Sequence, residues 1–176
     1  GGPTNFTVAN NRINSLEINQ SVPEEDPYFD DKSAIIVGGF ADLGDNHSVH
    51  SNSLLDGQVY RYDAGEATDT LDATSNYWGS PNGPSAGELN TYNDGKQGAE
   101  ITDNVDFTPW LDASPDNNGE SFAPVTNGSD GQFASIGAAV DEASDGGTIS
   151  AKSGTYLEEV EIDKPLTLES EGTAAE

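Results

Sequence analysis

The sequence contains no cysteine and no methionine, and only six of its 176 residues are lysine or arginine. Without cysteine, neither disulfide bonds nor thiol chemistry can contribute, so thiols do not indicate the redox compartment. Because a chain without methionine does not begin at a translation start, we expect it to be a processed product or a piece of a longer protein. No apolar run approaches the ~20 residues that a membrane-spanning helix needs.

The basic residues are outnumbered by 32 acidic ones, which gives a formal net charge of −26. Such a surface repels phosphate backbones and anionic lipids, so nucleic acid and membrane insertion are excluded as partners. Self-repulsion weakens a compact state in dilute buffer, and it becomes tolerable when salt shortens the screening length to about 3 Å at 1 M. The acidity therefore favours a protein adapted to high salt. A hydrophobic share of 33% argues against a disordered chain.

Short β-favouring segments, each followed by Gly, Asn or Asp, are the main feature of the first part of the sequence. Such segments are typical of a sandwich, a barrel or a solenoid. Residues 8–13 (VANNRI) and 49–54 (VHSNSL) share an Asn between two apolar residues. Asn at equivalent positions of stacked strands can form amide ladders, so this spacing favours stacked parallel strands. The alternative is two surface loops that both contain Asn.

Two longer segments resemble known motifs. Residues 71–84 (LDATSNYWGSPNGP) and 104–111 (NVDFTPWL) resemble the closing motif of right-handed parallel β-helix surface proteins. These belong to the pectate-lyase-like or carbohydrate-binding-and-sugar-hydrolase repeat group, of haloarchaeal type. Residues 133–168 resemble the opening of such a β-helix, with a cap helix near residues 135–143 and first strands at 148–151, 155–157, 160–162 and 166–168.

The resemblance implies an all-β fold, a right-handed parallel β-helix with that single short helix. It also implies a division of the chain. Residues 1–111 would be the last coils and end motif of one β-helix, residues 112–132 a Pro/Gly-rich linker, and residues 133–176 the cap helix and first coils of another. Those first coils would either complete the next subunit or belong to a second domain in tandem.

The aromatic residues of the closing motif are predicted to cover the end of the stack. Tyr77 and Trp78 would lie over its apolar end, and Phe107 and Trp110 would pack against the last coil. The alternative is a sugar-stacking platform formed by Trp78 and Trp110.

No residue pattern indicates catalysis. A β-helix lyase needs Ca²⁺-binding acids and an Arg or Lys base, and this chain's few basic residues are scattered through the sequence, among them Arg12, Lys32, Arg61 and Lys96. His47 and His50 would face opposite sides of a strand, which disfavours a shared role. We therefore predict no catalytic residues and no enzymatic activity.

Calcium is the one cofactor that the sequence suggests, and none is required. The predicted ligands, chosen from two acidic stretches, are Asp26, Asp30, Asp31, Asp103 and Asp106. The alternative is diffuse salt binding by a solvated acidic face.

The functional prediction rests on two features, the glycosylation acceptors and the unpaired strand edges. The Asn-X-Ser/Thr acceptors Asn5, Asn19, Asn46 and Asn127 predict a secreted or cell-surface glycoprotein. Unpaired strand edges predict head-to-tail self-association into a homo-oligomer or filament, through Phe6, Val8 and Ile13 at one end and Leu166 and Leu168 at the other.

The chain is thus predicted to be an extracellular structural protein of a filament, surface layer or adhesin. The alternative is a carbohydrate-binding or carbohydrate-cleaving module of a larger secreted protein, with glycans or surface polysaccharide as partners. The sequence also leaves open whether the chain is a polymerising subunit or a junction between two domains in tandem.

Overall fold

The computed structural model describes residues 7–13, 33–39, 48–55, 58–63, 70–93, 98–102, 104–128 and 131–172. The strands in these ranges are β1 Thr7–Ala9, β2 Arg12–Ile13, β3 Ser33–Gly39, β4 Ser48–His50, β5 Ser53–Leu54, β6 Gln58–Asp63, β7 Leu71–Asp72, β8 Glu100–Ile101, β9 Val105–Asp106, β10 Trp110–Leu111, β11 Ser121–Phe122, β12 Val125–Asn127, β13 Gly131–Phe133, β14 Thr148–Ala151 and β15 Thr167–Ser170. The α-helix is α1 Ile136–Glu142, and two short 3₁₀ turns span Gly87–Leu89 and Pro115–Asn117.

The first part of the chain forms three purely parallel sheets. Sheet A has the order β1-β4-β7-β9, sheet B pairs β2 with β5, and sheet C has the order β3-β6-β8. The chain visits A, B and C in turn and then returns to A, so each strand pairs with its counterpart of the next round. Val8 thus lies opposite Val49, and Ile13 opposite Leu54.

A column of asparagine side chains joins successive rounds at the turn between sheets A and B. Asn52 Oδ1 accepts from the backbone N of Asn11 at 2.9 Å and from its Nδ2 at 3.3 Å. Asn76 Oδ1 accepts from the N and Nδ2 of Asn52, both at 3.0 Å. An amide ladder, which the shared spacing of residues 8–13 and 49–54 favours, therefore joins Asn11 to Asn52, and Asn76 extends it by one round.

The backbone turns in the same way before each member of this column. Asn10, Ser51 and Ser75 have φ values of 60°, 58° and 58°, and each directly precedes an Asn of the column. A left-handed residue is uncommon outside glycine. Its repetition indicates that the hydrogen bonds of the column stabilise one turn conformation in every round.

The core of this part is closed by tryptophan. Trp78 and Trp110 are fully buried, and Trp110 Nε1 donates to Pro81 O at 2.9 Å. A Cβ atom on Gly83 would lie 2.9 Å from the indole ring of Trp110, so this close approach requires glycine. Because neither indole reaches solvent, the sugar-stacking alternative is wrong for Trp78 and Trp110.

Beyond residue 109 the chain reverses direction. Strands β10 and β11 pair antiparallel across the turn at Pro115–Asn117, and the next sheet has the order β13-β12-β14-β15. In that sheet β12 is antiparallel to both β13 and β14, whereas β15 is parallel to β14. The helix α1 lies within the range predicted for it and buries Ala139 and Val140 in the adjoining core.

One extended segment, residues 157–166, closes both ends of α1. The carboxylate of Glu158 accepts from the backbone N of Ile136 at 2.9 Å and of Gly137 at 2.8 Å. Lys164 Nζ donates to the carbonyl oxygens of Val140, Asp141 and Ala143 at 3.0–3.1 Å. A negative group at the helix N-terminus and a positive group at its C-terminus both interact favourably with the helix dipole. Segment 157–166 is thus fixed without ladder pairing over most of its length.

Aromatic side chains join the two parts of the chain. The ring of Tyr92 lies 5.5 Å from the rings of Phe122 and Tyr156. The backbones of Tyr92 and Tyr156 also form an isolated antiparallel β-bridge. Phe122 belongs to β11, so the region expected to be a linker contributes to this packing. The division of the chain into domains stays a prediction.

The predicted all-β right-handed parallel β-helix is wrong as the fold of this chain. The described residues form several small sheets, parallel, antiparallel and mixed, with one helix, so the chain is a small mixed α/β protein. The physical reason lies in the connections. Gly128 and its neighbours join β12 to β13 within a few residues, and so short a connection permits only an antiparallel pair.

The amide column yields a prediction about stability. Replacing Asn52 by Ala removes the donors to Val8 O and His50 O and the acceptor of the Asn11 N–H, while the backbone N–H of residue 52 keeps its bond to Asn76 Oδ1. We expect a loss of about 3 kcal/mol in the free energy of unfolding, because buried groups left without partners each cost about 1–3 kcal/mol. The measurement is urea denaturation in concentrated salt.

The matched control is Asn117→Ala, which removes one exposed hydrogen bond to Ser114. That variant should stay within about 0.5 kcal/mol of the parent. Equal effects of the two substitutions would show that the column contributes nothing particular to stability.

Candidate functional site

Each sheet of the described residues ends in edge strands, and two of these, the first strand β1 and the last strand β15, are termed the open strands. β1 pairs with β4 alone, and β15 pairs with β14 alone. Leu168 on β15 lies opposite the fully buried Ile149, yet its own side chain is 49% exposed. Val8 on β1 lies opposite the fully buried Val49 and packs against the core. Each open strand therefore presents one apolar residue in line with a buried neighbour.

The backbone groups of β15 alternate between its two sides. The N–H groups of Thr167 and Glu171 donate to Gly147 O and Ala151 O at 2.9 and 2.8 Å. Because successive residues of a strand direct their peptide groups to opposite sides, the groups of Leu168 and Ser170 face the open side. On β1 the carbonyl of Val8 faces the neighbouring strand β4 and not the open side, since it accepts from Asn52 Nδ2 at 2.9 Å.

A polar cleft lies where the turn at Pro115–Asn117 folds over sheet B. The residue after each Asn of the column lines it: Arg12, Ser53 and Tyr77. Asp116 also lines it, together with the adjoining cavity, and the two cavities measure about 160 and 140 Å³. Guanidinium, carboxylate, hydroxyl and phenol groups thus line one small opening with little net charge. This set can hydrogen-bond an uncharged polyhydroxylated molecule.

Asp106 is the one predicted calcium ligand that falls in the described part of the chain. It lies on β9 directly opposite Asp72, and its Oδ1 accepts from the backbone N of Thr108 at 3.3 Å. Partial loss of hydration raises the pKa of Asp106, the Thr108 N–H opposes this, and the Asp72 charge adds to it. The described residues contain no group of three or more potential metal ligands. Calcium binding at Asp106 stays a prediction.

Most other predicted site residues lie outside the described residues. These are Asp26, Asp30, Asp31 and Asp103 for calcium, Asn5, Asn19 and Asn46 for glycosylation, and Phe6 for self-association. Of Ile13 only the backbone is described, in β2.

The remaining predicted residues belong to the mixed sheet and its surroundings. Asn127 ends β12, where it lies between Gly131 and Ile149 and is half-buried. Leu166 packs against the core beside α1, so it is less available to a partner than Leu168. His50, which the sequence placed near His47, contacts Ser51 Oγ at 3.2 Å through Nδ1.

Sequence reasoning missed the polar cleft. Arg12 was judged an isolated basic residue, and Asp116 belonged to the supposed linker. The available signal was the repeated order of an Asn followed by an outward-facing residue, at Asn11, Asn52 and Asn76. No local pattern indicates that the turn at Pro115–Asn117 returns over sheet B.

Comparison with known protein families, with characterised proteins and with solved structures finds no match to this chain. The resemblance of its motifs to β-helix surface proteins therefore stays a prediction. Among the described residues, no helix is both long enough and apolar enough to cross a membrane.

The environment of Asp106 yields a prediction about pH. Because its pKa is raised by folding, the ionised carboxylate opposes the folded state. The stability that the protonated form contributes is present below about pH 4, the ordinary Asp pKa, and is lost as the pH rises through the folded-state pKa. Asp106→Asn should therefore raise the thermal midpoint at pH 7 and lose this advantage towards pH 3.5. The gain should stay below about 1 kcal/mol, because solvent screens an exposed carboxylate.

Asp72→Asn provides the companion variant. Removing that charge should lower the pKa of Asp106, which carboxyl NMR titration can follow. A pKa of Asp106 below the ordinary Asp value in the parent protein would contradict this account.

Proposed function

We propose that the chain is an extracellular structural protein that self-associates head to tail, with β15 of one copy adding to β1 of the next. The supporting observation is the match between the two open strands. Leu168 and Val8 each lie in line with a fully buried residue of the neighbouring strand. Addition of a strand to an open sheet edge is a common mode of protein recognition.

The direction of the backbone groups supports the same pairing. In parallel addition with Leu168 over Val8, the peptide groups of Leu168 face β1, and the N–H groups of Thr7 and Ala9 face β15. β1 and β15 each already form a parallel pair within the chain, so a parallel pair between two copies continues the strand direction of both sheets. A contact between two different surfaces that does not close on itself repeats without limit, which yields filaments.

The charge of the chain determines the conditions for this association. Copies that each carry a formal charge of −26 repel one another in dilute buffer. At 1 M salt the screening length falls to about 3 Å, so the repulsion is confined to groups in near contact. Association that strengthens with salt is consistent with the acidic, salt-adapted surface expected of an exported protein of this kind.

Leu168→Asp tests the proposal. A carboxylate at this position would be buried without a partner in the interface, so we expect sedimentation velocity in ~3 M salt to show monomers where the parent forms oligomers. Because Leu168 is already 49% exposed, the fold should tolerate the change.

Leu89→Asp is the matched control, since Leu89 is 48% exposed and lies in the turn Gly87–Leu89, outside both open strands. This variant should assemble like the parent. A parent chain that stays monomeric at every salt concentration would refute self-association.

The polar cleft favours a second candidate function, the binding of a neutral carbohydrate. Tyr77 lies half-buried at the cleft, and its ring can stack on the apolar face of a sugar. Arg12 and Asp116, which both line the cleft, offer charged hydrogen-bonding groups. Binding at this place would fit a module that attaches a larger protein to surface polysaccharide.

Calorimetry with neutral oligosaccharides tests this second candidate. Arg12→Ala should weaken binding about tenfold or more, since a hydrogen bond to a charged group contributes roughly 1.5–3 kcal/mol. Glu88→Gln removes an exposed charge outside the cleft and should leave binding unchanged. Equal binding by the parent and Arg12→Ala would exclude this cleft as the site.

A further inference from the structure

The amide column has an open end at Asn11. Each of the other two members donates through Nδ2 to a carbonyl of the preceding round: Asn52 to Val8 O, and Asn76 to Val49 O. For Asn11 no preceding round exists among the described residues. Its Nδ2 donates to Ala9 O and Asn52 Oδ1, and no described residue donates to its Oδ1.

We infer that Asn11 is the residue that selects and aligns the incoming strand of a second copy. This inference rests on the self-association proposed above and specifies its register. Asn11 Nδ2 donates to the carbonyl of Leu168 of the second copy, as Asn52 Nδ2 donates to Val8.

The alternation of backbone groups determines which residue meets Asn11. Carbonyls that accept from the column, those of Val8 and Val49, belong to inward-facing residues whose peptide groups point to the following strand. On β15 the residue with the same two properties is Leu168, because Thr167 and Glu171 donate back to β14. A shift by one residue would turn Leu168 away from the core and its carbonyl away from Asn11.

The bonds that Asn11 makes within its own chain explain why its role can be separated from folding. Its backbone N–H donates to Asn52 Oδ1, and a substitution leaves this bond in place. Its side chain bonds Ala9 O in an exposed position. Loss of the amide therefore costs the monomer little, whereas in the interface it removes a donor from a buried carbonyl.

Asn11→Ala in the full chain tests the inference. In ~3 M salt we expect its association constant, measured by sedimentation velocity, to fall about tenfold or more. Its thermal midpoint should stay within about 2 °C of the parent. Asn117→Ala, an exposed asparagine of the turn Pro115–Asn117, should leave both quantities unchanged.

The absence of cysteine from the chain allows a direct test of the register. A mixture of Thr7→Cys and Thr167→Cys variants should form a disulfide between copies under mild oxidation, because the proposed register places the two positions side by side. Ala9→Cys mixed with Thr167→Cys should not, since that pairing is two residues out of register.

The outcomes distinguish a failure of the role inferred for Asn11 from a failure of the self-association on which it rests. A parent that never associates refutes both. A parent that associates, with Leu168→Asp monomeric and Asn11→Ala as strong as the parent, refutes the role of Asn11 and leaves self-association standing. An Asn11→Ala variant whose thermal midpoint falls by as much as that of Asn52→Ala would also overturn the inference, because Asn11 would then act in folding.

Discussion

The hydrogen bonding of one asparagine per round is the constraint on which the parallel part of the structure depends. Where the chain leaves sheet A for sheet B, its peptide groups lose their strand partners, and a buried peptide group must find another. The amide of Asn52 satisfies both functions at once, as acceptor for Asn11 and as donor to Val8 and His50. The left-handed residue before each Asn is stable in that position because these bonds hold it there.

The second part of the chain solves the same problem with charged side chains. Segment 157–166 has few backbone partners, and it is held by Glu158 and Lys164 at the two ends of α1. Each charge meets several peptide groups of the helix, which spreads the cost of burying it. Lys164, one of only six basic residues in the chain, donates to three carbonyl oxygens at the end of the helix.

Local patterns in the sequence predicted local structure well and the whole fold poorly. The helix near residues 135–143, the strand at 148–151 and the stacking of residues 8–13 on residues 49–54 all follow from local patterns. The β-helix prediction failed because it extended a parallel arrangement through short connections, such as the one at Gly128, that reverse the chain. The strand expected at 155–157 is reduced to one antiparallel bridge between Tyr156 and Tyr92. The residues expected as a strand at 160–162 lie in the segment that Glu158 and Lys164 attach to α1.

The candidate sites divide in the same way. The sequence pointed to Leu166 and Leu168 through the expected open edge of the last strand, and of these two Leu168 is exposed on an edge strand. The cleft was not recognisable. Arg12 and Asp116 are about a hundred residues apart in the sequence, and only the return of the chain after Leu111 brings them to one opening. Contacts between residues so far apart depend on the direction in which a turn leads the chain, and the residues of the turn do not show which part of the molecule it will contact.

The closure of α1 at both ends by a single segment has a consequence for how the molecule opens. Glu158 and Lys164 belong to the same short stretch of chain that leads into β15, so release of that stretch removes both of their contacts with the helix. We therefore expect the amide protons of the helix, the segment and the edge strand to exchange together. A strand that docks on the open side of β15 would slow exchange in α1 as well, at residues it does not touch.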